Sequence, residues 1–184
     1  RLYRVFSRSF SRNLSGETLN PVSGWLETPA ARRIVAAQTA MTKAEIYDAV
    51  DTFSETLELH PPTPERIALM RRLDVVMGWS EASLSVMTEA IRGVATATNE
   101  TLPVDERVGS GRLNRRIEQT RAILRGIMGD VTGMAMLCAF WDVPETTLRA
   151  HLTFLSSKAG KRYTRGLKQA MSDALESASE QVSD

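Results

Sequence analysis

The two ends of this chain resemble each other at one fixed offset, and both copies are helical in pattern. A fixed-offset similarity indicates one supersecondary unit used twice. Each copy has the pattern of a helix, a hydroxyl-bearing cap and a second helix, so we expect a pseudo-repeated helix-corner-helix unit. The corresponding residues are Leu19, Leu26, Thr28, Ala30 and Arg33 near the start and Leu148, Leu155, Ser157, Ala159 and Arg162 near the end.

Helix signals fill the rest of the chain, and alternating strand patterns are missing. Proline follows threonine at Pro29 and Pro64, which marks two helix starts because the first helical residue needs no N–H donor. Residues 42–45 have the form of a capping box, and Gly78 is placed to end a helix. We therefore expect an all-α, compact bundle of eight or nine helices in a single domain over residues 1–184.

One predicted helix is apolar around nearly its whole circumference, over residues 123–141. Such a helix is normally central in its fold. Gly126, Gly129 and Gly133 lie on it, and a glycine inside a helix costs about 0.5–1 kcal/mol relative to alanine. We expect close approach of a neighbouring helix to compensate. The polar stretch 98–112 before it, with one proline and two glycines, predicts a flexible loop.

Composition excludes several classes of function. Lys and Arg total 23 against 22 acidic residues, so no global field attracts nucleic acid. The sequence shows no apolar run of the length of a membrane span, which predicts no transmembrane segment. Neither His60 nor His151 belongs to a cluster with metal spacing, and Cys138 lies in an apolar stretch where a thiol is inert. We expect no cofactor, no metal and no enzymatic activity.

Five basic residues in the last helix form the clearest candidate binding surface. They recur at helical spacing, opposite an apolar stripe. A solvated face is the common outcome of such a pattern, and docking of an acidic partner or of lipid headgroups is the functional alternative. The candidate partner-binding residues are Lys158, Lys161, Arg162, Arg165 and Lys168.

Asp130 is the candidate polar residue of a cleft, because it stands in the apolar helix. A carboxylate in such surroundings must be paired, hydrogen-bonded, protonated or at an opening. One interpretation is a salt bridge to an arginine of the same helix, and the other is a polar contact inside a ligand cleft.

The segment Phe154 to Tyr163 resembles the end of domain-of-unknown-function family 2059, which shows an "F-Y-x-S-P-x-G-x-K" motif. Phe154, Ser157, Gly160 and Arg162 match the aromatic, serine, glycine and basic positions, while Leu155 and Lys158 replace the tyrosine and the proline. The resemblance covers residues 1–42 as a partial copy and 64–178 as a fuller one.

The resemblance implies a helical protein of bacteria, exported to the periplasm or secreted, and it supplies no activity. Because the chain starts with Arg1, we also expect an upstream segment. The sequence therefore favours a non-enzymatic interaction or accessory module of the envelope, with an unknown protein partner. The alternative is a carrier that binds a small apolar or lipid-like ligand between helices. A cavity beside Gly126–Gly133 would favour the carrier, and an exposed apolar patch would favour the module.

Overall fold

The computed structural model of the protein describes residues 2–14, 16–40, 53 and 55–182. Within these ranges the chain is helical and contains no strand, which confirms the all-α class and the expected number of helices. Residues 55–59 form a short helical segment that ends before His60. The other helices are α1 (Leu2–Asn13), α2 (Gly16–Leu26), α3 (Pro29–Ala40), α4 (Pro64–Met77), α5 (Trp79–Thr101), α6 (Ser110–Ala139), α7 (Glu145–Ser156) and α8 (Lys158–Val182).

Hydroxyl caps start α3 and α4 where the sequence predicts them. The Oγ1 of Thr28 accepts a hydrogen bond from the N–H of Ala31 at 3.1 Å, at the start of α3. Thr63 accepts the N–H of Arg66 in the same way at 3.2 Å, at the start of α4. Such a bond satisfies one of the backbone donors that a helix start leaves free. The predicted capping box at 42–45 lies outside the described residues.

Gly78 ends α4, as predicted. Its backbone has φ 69° and ψ 34°, the left-handed conformation that glycine adopts without steric cost. The residue separates α4 from α5 by a single position.

Contacts group the chain into two units. The first comprises residues 1–77 and 139–184, and the second comprises residues 78–138. This grouping does not test the prediction of a single domain.

The largest helix contact of the first unit is that of α1 with α8. The two helices run antiparallel, because Ser9 donates a 2.5 Å hydrogen bond to Asp173 while Asn13 lies beside Gly166. A Cβ at Gly166 would lie 3.4 Å from the Cβ of Asn13. The missing side chain therefore allows the two helices to approach closely.

Two helical corners, α2–α3 and α7–α8, pack against each other in the first unit. The α2 helix contacts α8, and α3 contacts α7. Between them, the rings of Trp25 and Phe154 stack with centroids 4.9 Å apart. The α4 helix packs on α7 as well and buries Leu69, Met70 and Leu73.

The second unit is an antiparallel hairpin of α5 and α6. Glu81, near the start of α5, pairs with Arg121 and Arg125 in the middle of α6. Arg92, further along α5, contacts Asn114 and Glu118, nearer the start of α6. Residues later in α5 therefore pair with residues earlier in α6, as antiparallel helices require. Ion pairs lie along the contact between the two helices.

The connection between α5 and α6 is shorter than the sequence predicts. Residues 98–101 continue α5, and α6 begins at Ser110, so the loop spans 102–109 instead of 98–112. The side chain of Asn99 exchanges two hydrogen bonds with the backbone of Val108, at 3.0 and 2.8 Å. Side-chain hydrogen bonding of this kind lets a polar sequence close a hairpin with few residues.

The expectation of a packed, central glycine helix is wrong. A Cβ added at Gly126, Gly129 or Gly133 would meet nothing within 4 Å, and α6 is mostly exposed. Close approach occurs instead in α8, at Gly166 and at Gly160, where a Cβ would lie 2.6 Å from the Cα of Leu155 and collide with the Phe154 carbonyl. Apolar composition alone did not distinguish a buried helix from an exposed one.

Candidate functional site

An open groove of about 560 Å³ runs along α8 in the first unit. Lys161, Arg165 and Lys168 line it, and among the described residues its lining includes no acidic side chain. Val76 of α4 and Leu155 of α7 supply apolar surface. The groove therefore combines three cations with an apolar floor, which suits an anionic group attached to an apolar body.

The sequence of α8 explains why these cations face outward. Its inner side carries small residues, since Gly160, Thr164 and Ala170 are buried. These residues let α8 lie close to its neighbours. The basic side chains of Lys161, Arg165 and Lys168 are exposed next to Thr164, which also lines the groove. The hydroxyl of Thr164 donates to the carbonyl of Gly160 at 2.9 Å, so it adds no free donor to the groove.

The structure separates the five predicted basic residues into two sets. Lys161, Arg165 and Lys168 come together in the groove, whereas Lys158 is exposed outside it. Arg162 points elsewhere: its Nη1 lies 3.6 Å from a carboxylate oxygen of Glu17. The sequence thus predicted the cations of the groove, but it did not indicate that Val76 and Leu155 lie beside them.

Six aromatic rings form a continuous chain through the first unit. Neighbouring ring centroids lie 4.9–6.2 Å apart, which is the usual range for aromatic pairs. The rings of Phe154 and Tyr163, one on each side of the α7–α8 corner, lie 6.2 Å apart. In spatial order the rings are those of Phe6, Phe10, Tyr163, Phe154, Trp25 and His151.

His151 is the last ring of this chain and is a packing residue. It is 6% exposed, and its ring stacks on Trp25 at 5.8 Å. Both ring nitrogens are buried without a hydrogen-bond partner among the described residues. Burial lowers the pKa of His151 to about 4, because a low-dielectric environment disfavours the imidazolium. The histidine is therefore neutral at physiological pH.

Arg66 is a polar residue of the core that the sequence analysis missed. Its Nη2 donates to the carbonyls of Phe140, Trp141 and Val143, the latter two at 2.9 and 3.2 Å. The guanidinium thereby satisfies backbone acceptors in the turn that follows α6. A signal was present, because Arg66 precedes the buried Met70 by one helical turn and so lies on the inner face of α4.

Asp130 does not lie in a closed cleft. It is exposed, and no ion pair involving it occurs among the described residues. Arg121 and Arg125, which lie nearest to it in sequence among the basic residues of α6, pair with Glu81 instead. The expected internal salt bridge of Asp130 is therefore absent from the described part of the chain.

Metal and thiol chemistry find no support in the described ranges. No group of three His, Cys, Asp or Glu side chains there could hold a metal ion. Burial raises the pKa of Cys138, so the thiolate form is disfavoured.

By length and composition alone, α6 is long and apolar enough to cross a membrane, although only 6% of the relevant stretch is buried. The core helix of a soluble protein passes the same test, but it is mostly buried. The expected absence of a transmembrane segment therefore stays a prediction.

Comparison with known proteins gives no relative from which a role can be transferred. The chain matches no family model, no curated protein sequence and no solved structure. The resemblance to domain-of-unknown-function family 2059 rests on the short motif alone.

Proposed function

We propose that the protein is a non-enzymatic interaction module that docks an acidic partner in the groove of α8. The observation that carries this proposal is the convergence of Lys161, Arg165 and Lys168 on one open groove of about 560 Å³. Three cations with no described ion-pair partner produce a local positive potential that the near-neutral chain lacks as a whole. The apolar floor of the groove would add contact area to the charge attraction.

Capture of partners at two salt concentrations tests the proposal. Protein immobilised on beads is mixed with envelope extract of its host, and the triple variant Lys161→Gln, Arg165→Gln, Lys168→Gln is compared with the parent. We expect the variant to lose the captured acidic proteins. The parent should lose them when salt is raised, because exposed charges are screened over about 8 Å at physiological ionic strength.

A second triple variant distinguishes the effect of the groove residues on binding from the effect of net charge. Lys158→Gln, Arg71→Gln and Arg72→Gln remove the same number of charges from exposed positions outside the groove. This control should capture the same partners as the parent. Equal capture by all three proteins would mean that the basic residues are only a solvated face.

The proposed location is the bacterial periplasm or the exterior, which follows from the motif resemblance of residues 154–163. For the alternative, a carrier of apolar ligands, the expected support was a cavity beside Gly126–Gly133. Those glycines face open space, so no observation on the described residues favours it.

We also propose that the two corners are copies of one unit. In support, Ser157 and Thr28 make corresponding hydrogen bonds: each hydroxyl accepts an N–H three residues ahead, from Gly160 and Ala31. Each backbone N–H donates to the carbonyl three residues before it, at 3.0 and 2.9 Å. Trp25 and Phe154, which correspond at the same offset, stack on each other. Duplication of one corner would account for the three correspondences together.

A further inference from the structure

The three cations of the α8 groove lie in a row along one helix. Lys161, Arg165 and Lys168 are spaced by four and three positions, and an α-helix rises about 1.5 Å per residue. The row therefore extends over about 10 Å of α8. Because Coulomb attraction falls with distance, charges spread over this length attract several anions in a line more strongly than one anion at a single point.

The neutral polar side chains beside these cations already donate within α8. The hydroxyl of Thr164 donates to the carbonyl of Gly160 at 2.9 Å, and the amide of Gln169 donates to Asp173 at 2.7 Å. The backbone of α8 forms its own helical hydrogen bonds. An extended peptide laid along α8 would therefore find no backbone carbonyl there for its own N–H groups, and buried N–H groups without partners are costly. A bound helix satisfies its own backbone and offers only side chains.

The apolar part of the groove lies on two other helices, at Val76 of α4 and Leu155 of α7. An occupant that uses the whole groove must therefore carry anions on one side and apolar groups on the adjacent side. Amphipathic helices bind in grooves through side chains at positions such as i, i+4 and i+7. The three cations of α8 have this same spacing.

We propose that the groove of α8 binds an acidic amphipathic helix of a partner protein. Three carboxylates within two turns of that helix pair with Lys161, Arg165 and Lys168, and its neighbouring apolar residues contact Val76 and Leu155. The inference rests on the proposed function and names the chemistry of its partner. Matching of the two charge rows would give specificity for the pattern of acidic residues, beyond attraction to net charge.

The observations favour a helix over a lipid surface. Val76 is half-buried and Leu155 is 2% exposed, so a flat array of headgroups would not reach them. A single acyl chain laid in an open groove would keep much of its surface in water, which is unfavourable. A side chain that projects from a helix reaches both apolar residues while the helix itself stays outside the groove.

Fluorescence anisotropy with two labelled synthetic peptides of about five helical turns each tests the proposal. Both contain the same three glutamates and three leucines among alanines and glutamines. In the first peptide the glutamates stand at i, i+4 and i+7, and a leucine follows each. In the second the same residues are distributed around the helix. We expect the first peptide to bind the intact protein at least tenfold more tightly, and to gain helical circular dichroism on binding.

Charge reversal tests the ion pairs of the groove. Arg165→Glu should weaken binding of the first peptide about tenfold or more, because it places like charges opposite each other. A peptide with lysine in place of its central glutamate should recover most of the lost affinity for this variant. Lys168→Glu, with lysine at a terminal glutamate of the peptide, gives the same test if Arg165→Glu fails to fold, as judged by circular dichroism.

Two adjacent valines of α4 test the apolar contact. Val76→Ser should weaken binding of the first peptide several-fold, because Val76 lines the groove. The matched control Val75→Ser changes a residue that is 79% exposed and lies outside the groove, and it should bind like the parent.

Equal affinity for the two peptides would overturn the proposal, as would a charge reversal without recovery. So would binding of phosphatidylglycerol vesicles through the three cations that neither peptide displaces. If the peptides bind equally but acidic proteins are still captured through Lys161, Arg165 and Lys168, the helical partner is rejected and the proposed function stands. Equal capture by the parent and both triple variants would reject the two together.

Discussion

At the residue scale, His151 shows how burial determines the protonation state of a titratable group. Its ring lies against Trp25 and is almost closed off from solvent, and no described group offers it a hydrogen bond. Its position among the leucines of α7 is typical of a packing histidine. The sequence did not indicate the stacking partner, because Trp25 lies more than a hundred residues away along the chain.

We expect His151 to make the stability of the protein pH-dependent. Its folded pKa of about 4 lies below the ordinary value of 6.5, so between these values only the unfolded chain takes up the proton. The contribution of neutral His151 to the free energy of unfolding is complete above pH 6.5. It is lost as the pH falls towards 4, by up to about 3 kcal/mol. Melting temperatures of the parent and of His151→Phe, measured from pH 7.5 to 4.5, check this. The parent should lose stability faster over that range, and parallel curves would contradict the expectation.

At the element scale, helix starts are predictable from sequence and helix neighbours are not. Thr28, Thr63 and Ser157 cap helices as expected, because a cap involves residues only three apart. Gly160 and Gly129 look alike in the sequence, yet only the first faces another backbone. Helical spacing in the sequence predicted the cations of the groove. Val76 lies beside them because of tertiary packing, which helical spacing does not encode.

The two glycines should respond oppositely to the same substitution. Gly160→Ala places a methyl group against the backbone of Phe154 and Leu155, and overpacking of this kind costs about 1–3 kcal/mol. Gly129→Ala meets open space and should stabilise by about 0.5–1 kcal/mol, since alanine favours the helix. Urea unfolding followed by circular dichroism measures both. If both substitutions raised the free energy of unfolding, or both lowered it, Gly160 and Gly129 would not differ in their surroundings in this way.

At the scale of the whole molecule, buried apolar side chains are concentrated in the first unit. The second unit contributes only Leu84, Ile117 and Met136 to those described. Local stability follows the density of such contacts, so we expect amides of α5 and α6 to exchange hydrogen faster than those of α7 at low protein concentration. Exchange followed by mass spectrometry checks this. Equal protection of α6 and α7 in dilute protein would contradict it.

The pairing of α1 with α8 has a consequence for synthesis in the cell. Ser9 and its partner Asp173 are 164 residues apart, and ribosomes add about 5–20 residues per second. Once it has been made, α1 therefore waits roughly 8 to 30 s for α8. Until then Phe6 and Phe10, which later stack within the aromatic chain, have no partner from α8. For that interval α1 cannot dock on α8, and its aromatic side is open to chaperones.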